Sequence, residues 1–277
     1  MKNSIFQIFY SEETKSQNDP GFLPLNNLAN ERPDWREYWP IRNYLLNNNL
    51  EEDTRYGFLS PKFEAKTTLN SKKVVEFVGN DESGVILFSP YFEQSAFNFN
   101  VFEQLEAAHP GSLIVAQECL RILCPDVNIY SLIMDSRNTV YCNYFIANKI
   151  FWKKWFAYCE VIFNIAESNN SELARRLNTR VEYDGHPAAM KVFIIERIAS
   201  FILATSPDVE VKSYNPMELP LGDQVWNKFK SELCVLDALK ISFLTNPLVQ
   251  YAKEFEKIRT EVLSKIKIEI ESIKKGE

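Results

Sequence analysis

Hydrophobic and polar positions follow two rhythms along this chain. Residues 5–10 form a short apolar run of β character that breaks into a polar segment over 11–20. The same short pattern returns over 56–60 and, as Val-Ile-Leu-Phe, over 85–88, and each predicts a strand. Pro20, Gly21 and Pro24 mark a loop between the first two strands. A helix is predicted over 35–47, with Asp34 as its cap and Pro40 complicating its middle. A further apolar run covers 74–78. Helices follow over 101–108, stopped by Pro110 and Gly111, and over 112–123, capped by Ser112. Residues 132–134 fit a strand end or a helix equally well.

Helical periodicity dominates the second half. A long helix, apolar and aromatic on one side, is predicted over 149–167, a polar surface helix over 169–179, and an apolar helix over 187–204. Pro207, Pro216 and Pro220 make 206–221 an irregular connection, and 231–243 is helical again. Over 248–274 the residues Phe255, Ile258, Val262, Ile266, Ile270 and Ile273 recur at intervals of three and four, the stripe of one helix face. Strands in the first half and helices after them predict an α/β fold, divided into a domain over 1–205 and a helical C-terminal extension over 206–277 packed on it.

Two segments break the pattern. Asn143 lies in an aromatic, apolar run, and Glu196 and Arg197 interrupt the apolar stretch 192–203. Burying a neutral polar group unpaired costs on the order of 2–7 kcal/mol, and a charge costs more. These residues therefore either pair with a partner or face a cleft.

Composition narrows the function. The chain has 277 residues, a net charge of −6 and 45% hydrophobic residues, ample for a core, and its acidity argues against nucleic acid as a partner. Aromatics make up 13%, which fits a core and also stacking platforms for sugars or bases. Only 8 glycines occur, without the spacing of a phosphate-cradling loop. The 5 cysteines form no CxxC pair and read as buried thiols of a reducing cytosol. The first residues read as a strand rather than a signal peptide, and no apolar run of about 18 residues predicts a transmembrane helix.

The order of these features resembles a family of bacterial glycosyltransferase-like proteins from polysaccharide and lipopolysaccharide clusters. The resemblance rests on the β-like start, the segment Tyr56-Gly-Phe-Leu-Ser-Pro-Lys-Phe, the Val-Ile-Leu strand, the helix ending at His109, the Asn143 segment and the Glu196-Arg197 helix, over residues 4–205. It implies a GT-A-like, Rossmann-type mixed sheet flanked by helices, a nucleotide-sugar donor and a surface-glycan acceptor, in lipopolysaccharide or capsule biosynthesis. The implied location is cytoplasmic, with a peripheral seat at the inner membrane as an alternative. Where the family has a basic stretch, this chain has Ser60, Pro61, Lys62 and Phe63. It also lacks the Asp-x-Asp by which most such enzymes hold a divalent metal; Glu51, Glu52 and Asp53, or Glu182 and Asp184, are the nearest substitutes. The resemblance thus fixes no certain cofactor and leaves a divalent cation, Mn or Mg, open on the diphosphate.

Sugar transfer needs a slot for the nucleotide, positive charge for the diphosphate and a base for the acceptor hydroxyl. Ligands of open α/β sheets bind at the carboxyl ends of strands, which nominates Tyr10, Ser11 and Thr14, residues that equally suit a turn. Lys62 and Lys66 are the candidate diphosphate cations, with Arg32 and Arg42 competing, although lysines are ordinarily solvated. With Ser60, Asn143 and Arg197 these complete the expected substrate contacts. The candidate bases are Glu196, Asp135 and His109. Glu196 and Arg197 equally suit a structural ion pair, Asp135 an ordinary turn, and His109 a helix terminus whose dipole it meets. His186 with Glu182 and Asp184 is too cramped for a good metal site, and Asp184 suits a helix cap. The mixed charges of the last helix favour docking or oligomer contact over a membrane anchor. The alternative to an enzyme is a non-catalytic GT-A-like protein that binds glycan or nucleotide; a further one is an unrelated α/β enzyme or interaction protein.

Overall fold

A computed structural model describes residues 1–183 and 185–276. Strands β1 (Lys2–Phe9), β2 (Leu23–Asn26), β3 (Thr54–Leu59), β4 (Val85–Leu87) and β5 (Phe145–Asn148) belong to one sheet. Strands β6 (Arg180–Tyr183) and β7 (His186–Ala189) make a separate hairpin, and β8 (Val211–Ser213) rejoins the main sheet. The six-stranded order is β2-β1-β3-β5-β4-β8. Only β5 runs against its neighbours, between β3 and β4. The protein is thus α/β, with a mixed sheet flanked by helices.

Strand alternation explains the two cores. Ile8, Tyr56, Phe58, Val85, Leu87, Phe145 and Ala147 face one side. Ile5, Leu59, Ile86, Tyr144 and Ile146 face the other. The first side carries the larger core, including Trp152, Trp155, Cys159 and Ile162 of the long helix Lys149–Ser168. Trp152 Nε1 donates to the Tyr56 carbonyl at 2.8 Å and ties that helix to the central strand. The second side is covered by the short helices Phe63–Thr67 and Ser71–Val78. The apolar run over 74–78 is therefore helical. Gly57 in β3 allows close packing, since a Cβ there would lie 2.9 Å from Ile146.

Several expected elements shift for identifiable reasons. Residues 23–26, expected as loop, form β2, and Pro24 is tolerated because β2 is an edge strand. The helix expected over 35–47 begins at Tyr38, after a 3₁₀ turn at Pro33–Trp35. Pro40 then falls in its first turn, where no intrahelical N–H partner is lost. Asp34 caps nothing; it accepts from Arg32 and Lys191. Ser112 is the first helical residue, and Glu106 caps that helix instead by accepting from the N–H groups of Gly111 and Leu113, each at 2.8 Å. Residues 132–134 are neither strand nor helix. The surface helix shrinks to Glu172–Leu177. Cys119 and Cys159 are buried, Cys124 and Cys142 half-buried, and Cys234 exposed.

The largest shift concerns residues 187–204. They begin as β7 and continue as two helices, Met190–Ile195 and Ile198–Ala204. The break has a local cause. Arg197 Nη1 donates to the Phe193 carbonyl at 2.8 Å, the acceptor that its own backbone N–H would use in a regular helix. That N–H bonds Ile194 at 3.1 Å instead. Glu196 and Arg197 thus occupy a junction rather than a helix interior.

The sheet also crosses the expected boundary at 205, because β8 pairs with β4. Beyond it, helices Lys230–Thr245 and Val249–Gly276 form a hairpin. Phe255, Val262 and Ile266 of the apolar stripe are buried and Ile258 half-buried, whereas Ile270 is 39% exposed. The Ile273 side chain lies outside the described part. Among the described residues no helix is long and apolar enough to cross a membrane.

Candidate functional site

Chain topology places a crevice at the carboxyl ends of β1 and β3. β2 lies on one side of β1 and β3 on the other, so the connections diverge there, the usual ligand position in open α/β sheets. A cavity of about 320 Å³ occupies this crevice. Ile8 and Tyr10 line it from the end of β1, and Ser60, Pro61, Lys62 and Lys66 from the segment after β3. Cys142 and Asn143 line it from the approach to β5, and Glu196 from the junction between the two helices. Arg36 and Glu37 close it from the turn before helix Tyr38–Asn47, with Asn27, Asn30 and His186 completing the wall. Three cations and two carboxylates therefore share one cleft.

Backbone strain concentrates here. Seven described non-glycine residues have positive φ, and four of them line the cleft: Asn30 at 39°, Arg36 at 46°, Cys142 at 61° and Asn143 at 55°. Such conformations cost on the order of 1–3 kcal/mol each and gather at functional sites. The strain at Cys142 and Asn143 turns the chain just before β5.

The polar groups of the cleft divide into committed and uncommitted ones. Ser60 Oγ and Tyr144 Oη share a 2.6 Å hydrogen bond. Lys66 Nζ donates to Cys142 Sγ at 3.2 Å. Burial pushes the Cys142 thiol up to about 11, against the pull of Lys66, so it is a neutral acceptor at physiological pH. Asn143 is only 4% exposed, and its Oδ1 has no hydrogen-bond partner among the described residues. The Glu196 side chain is 29% exposed to the cleft and meets Arg197 only at 3.9 Å. Its depth in the protein raises its pKa; Arg197, Lys66 and Arg36 oppose the rise, and Glu37 adds to it. Neither the Glu37 nor the Glu196 carboxylate accepts a hydrogen bond from a described residue.

Six of the sequence-nominated residues thus come together: Tyr10, Ser60, Lys62, Lys66, Asn143 and Glu196. The others are placed elsewhere. Ser11 and Thr14 cap helix Glu12–Ser16 reciprocally, with both N–H to hydroxyl bonds at 3.0–3.1 Å, so their oxygens serve the turn. Arg32 bridges Asp34 at 2.9 Å and Glu167 at 2.6 Å, and Arg42 is bound to Glu160 at 2.7 Å. Asp135 is fully buried in a turn, where both its oxygens accept from Arg137. His109 packs with its ring tilted 4.4 Å from the Phe193 ring at a helix end, and burial, with Arg197 nearby, lowers its pKa. Arg197 donates to Val101, Phe193 and Gln104 beneath the cleft floor.

The acidic trio before β3 does not reach the cleft. Glu51, Glu52 and Asp53 precede β3 and lie at the opposite end of that strand, with Glu52 paired to Lys149 and Asp53 to Lys2. Asp184 lies outside the described residues. Among the described residues no three His, Cys, Asp or Glu side chains gather as metal ligands. Sequence reasoning missed Arg36 and Glu37, although they stand between Trp35 and Tyr38 as Asn143 stands in its own aromatic run. The same argument would have found them. Comparisons with family models, characterised proteins and solved structures returned no match.

Proposed function

We propose that this protein is a glycosyltransferase that moves a sugar from a nucleotide-sugar donor to a surface-glycan acceptor of lipopolysaccharide or capsule, on a GT-A-like fold. One observation carries the reading. A cleft at the carboxyl ends of β1 and β3 combines Arg36, Lys62 and Lys66 with two carboxylates that accept no hydrogen bond from the described residues. The mostly parallel sheet, with its diverging connections above β1 and β3, supports a nucleotide at that edge. Tyr10, 42% exposed at the end of β1, offers a stacking face.

In this reading Glu196 takes the proton of an acceptor hydroxyl as its oxygen bonds the anomeric carbon. The bond from that carbon to the donor phosphate breaks, and its electron pair leaves on the diphosphate. Lys62, Lys66 and Arg36 stabilise that charge. The acidic trio before β3 lies away from the cleft, and this reading assigns the diphosphate charge to side chains. The protein would act at the cytoplasmic face of the inner membrane, where such acceptors are built.

The test has two stages. UDP, GDP, ADP and dTDP are screened by thermal unfolding; a ligand at 100 times its Kd stabilises by about 2.7 kcal/mol. Nucleotide sugars of the binding nucleotide are then assayed for hydrolysis and for transfer to lipid-linked or oligosaccharide acceptors. Binding with turnover supports the enzyme. Binding without turnover favours the non-catalytic alternative, to which the missing Asp-x-Asp points. No nucleotide binding at all sinks both.

A further inference from the structure

We propose that Glu37, Glu196 and Asn143 form a carbohydrate subsite within this cleft, whose oxygens together receive the hydroxyl protons of one sugar ring. The inference deepens the glycosyltransferase reading and rests on it for the identity of the larger ligand. It starts from three oxygen-bearing groups on three separate elements: the turn before helix Tyr38–Asn47, the helix junction at Glu196, and the strained turn before β5. All three line the same cavity. Among the described residues Asn143 Oδ1 is buried without a partner, and neither carboxylate accepts a hydrogen bond.

That state is uncommon among the described half-buried carboxylates. Asp34, three residues before Glu37, accepts from Arg32 at 2.9 Å and Lys191 at 2.6 Å. Glu160 accepts from Tyr38 at 2.6 Å and Arg42 at 2.7 Å. These two carboxylates outside the cleft are committed, and the two described ones that line it are not. Leaving a buried acceptor unmade is costly, and the cost is recovered when a ligand supplies the donor.

The chemistry of the three groups selects the ligand class. Ionised carboxylates and an amide oxygen are acceptors. A phosphate ester is mostly ionised at neutral pH, offers few donors and is disfavoured by two carboxylates. A nucleobase offers one or two donors along one edge. A pyranose ring offers several hydroxyls in different directions, which suits acceptors on three walls. Arg36 and Lys66 lie close enough to act electrostatically on Glu196, so negative charge there is already offset, which disfavours a lone ammonium as the occupant.

The experiment uses the full chain and four variants: Asn143→Gly, which keeps the positive φ accessible, Glu37→Ala, Glu37→Gln and Glu196→Gln. Calorimetry measures UDP and GDP against UDP-glucose, UDP-galactose and GDP-mannose. Saturation-transfer NMR measures free glucose, galactose, mannose and glucosamine. The proposal expects at least one sugar nucleotide to bind wild type more tightly than its bare nucleotide. Asn143→Gly and Glu37→Ala should each erase that advantage by tenfold or more while leaving the bare nucleotide within twofold. If a variant fails to fold by circular dichroism, the remaining ones decide. If no nucleotide binds but free sugars give signals that the variants lose, the glycosyltransferase reading falls and the subsite stands. The proposal is overturned by sugar binding unchanged in every folded variant, by equal losses for bare nucleotide and sugar nucleotide, or by no sugar binding to wild type. Glucosamine binding while the neutral sugars do not would also overturn it, because the site would then be one for amines.

Discussion

Glu196 and Arg197 are adjacent in the chain but are not a close pair: Arg197 Nη1 stands 3.9 Å from Glu196 Oε2. The guanidinium is occupied below, by the carbonyls of Val101 at 3.0 Å and Phe193 at 2.8 Å and by Gln104 Oε1 at 2.6 Å. It braces helix Val101–Ala108 against the helix junction. Glu196 faces the cleft instead. The two residues should therefore separate cleanly under mutation.

Glu196→Gln should leave the melting temperature near wild type and lower transfer by roughly 10²–10⁴-fold, the usual worth of general acid–base catalysis. Arg197→Met leaves two buried carbonyls and the half-buried Gln104 Oε1 without this donor and should cost about 3 kcal/mol or more of stability. Thermal unfolding beside activity per folded molecule checks both. If Glu196→Gln melts early yet transfers normally, Glu196 is structural, and Glu37 becomes the base to test.

Much of this arrangement was legible in the sequence. A polar residue in an apolar run marked Asn143 and Glu196, and both line the cleft. Strand composition placed β1, β3 and β4, and the long helix Lys149–Ser168 followed from its stripe. Very short strands were harder: β2 and β8 have four and three residues and carry prolines in or beside them. The helix break was hidden because it depends on a side chain competing for a backbone carbonyl, a contact no periodicity encodes. Asp135 and His109 looked like site residues because loop and helix-end polar residues often are. Burial and committed hydrogen bonds distinguish them, and those are tertiary facts.

Activity should report the charge balance around Glu196. Its depth raises its pKa, and Glu37 raises it further, while Arg197, Lys66 and Arg36 pull it down. A base works deprotonated, so kcat/KM should fall as pH drops through a value above the ordinary carboxylate range. Glu37→Gln removes a neighbouring negative charge and should move that acid limb to lower pH. Lys66→Met removes a positive one and should move it higher. A limb that ignores both substitutions would assign the titration to another group.

Stability should carry its own pH signature from Glu93. This residue is 1% exposed, its Oε1 accepts from the Gly222 N–H at 3.0 Å, and its Oε2 has no partner among the described residues. Burial pushes its pKa up to about 7, against the hydrogen bond from Gly222. The folded state therefore holds the proton more tightly than the unfolded chain, whose value is 4.5. The stabilisation is complete below pH 4.5 and is lost as pH rises through 7, about 3 kcal/mol in all at 1.36 kcal/mol per unit. Glu93→Gln should remove that slope and be relatively more stable than wild type at pH 8. Denaturant unfolding from pH 4.5 to 8 measures it, and parallel curves for the two proteins would show that Glu93 does not titrate in this window.

The last expectation concerns how the diphosphate charge is carried. Lys62 and Lys66 follow β3 at the cleft, and Arg36 faces them from the turn before helix Tyr38–Asn47. Of the acidic residues that could have held a metal, Glu52 and Asp53 are engaged at the other end of β3, Glu182 is exposed on β6 and Asp184 lies outside the described part. A hydrogen bond between charged groups contributes about 1.5–3 kcal/mol, so removing one lysine should weaken a nucleoside diphosphate by about 10- to 100-fold. Lys62→Met and Lys66→Met should each do so while affecting the bare nucleoside little, and higher salt should narrow the difference from wild type. Transfer should persist in a chelator. Complete loss there, restored by manganese or magnesium, would place a metal on the diphosphate, and Glu182 and Asp184 would be the first residues to replace.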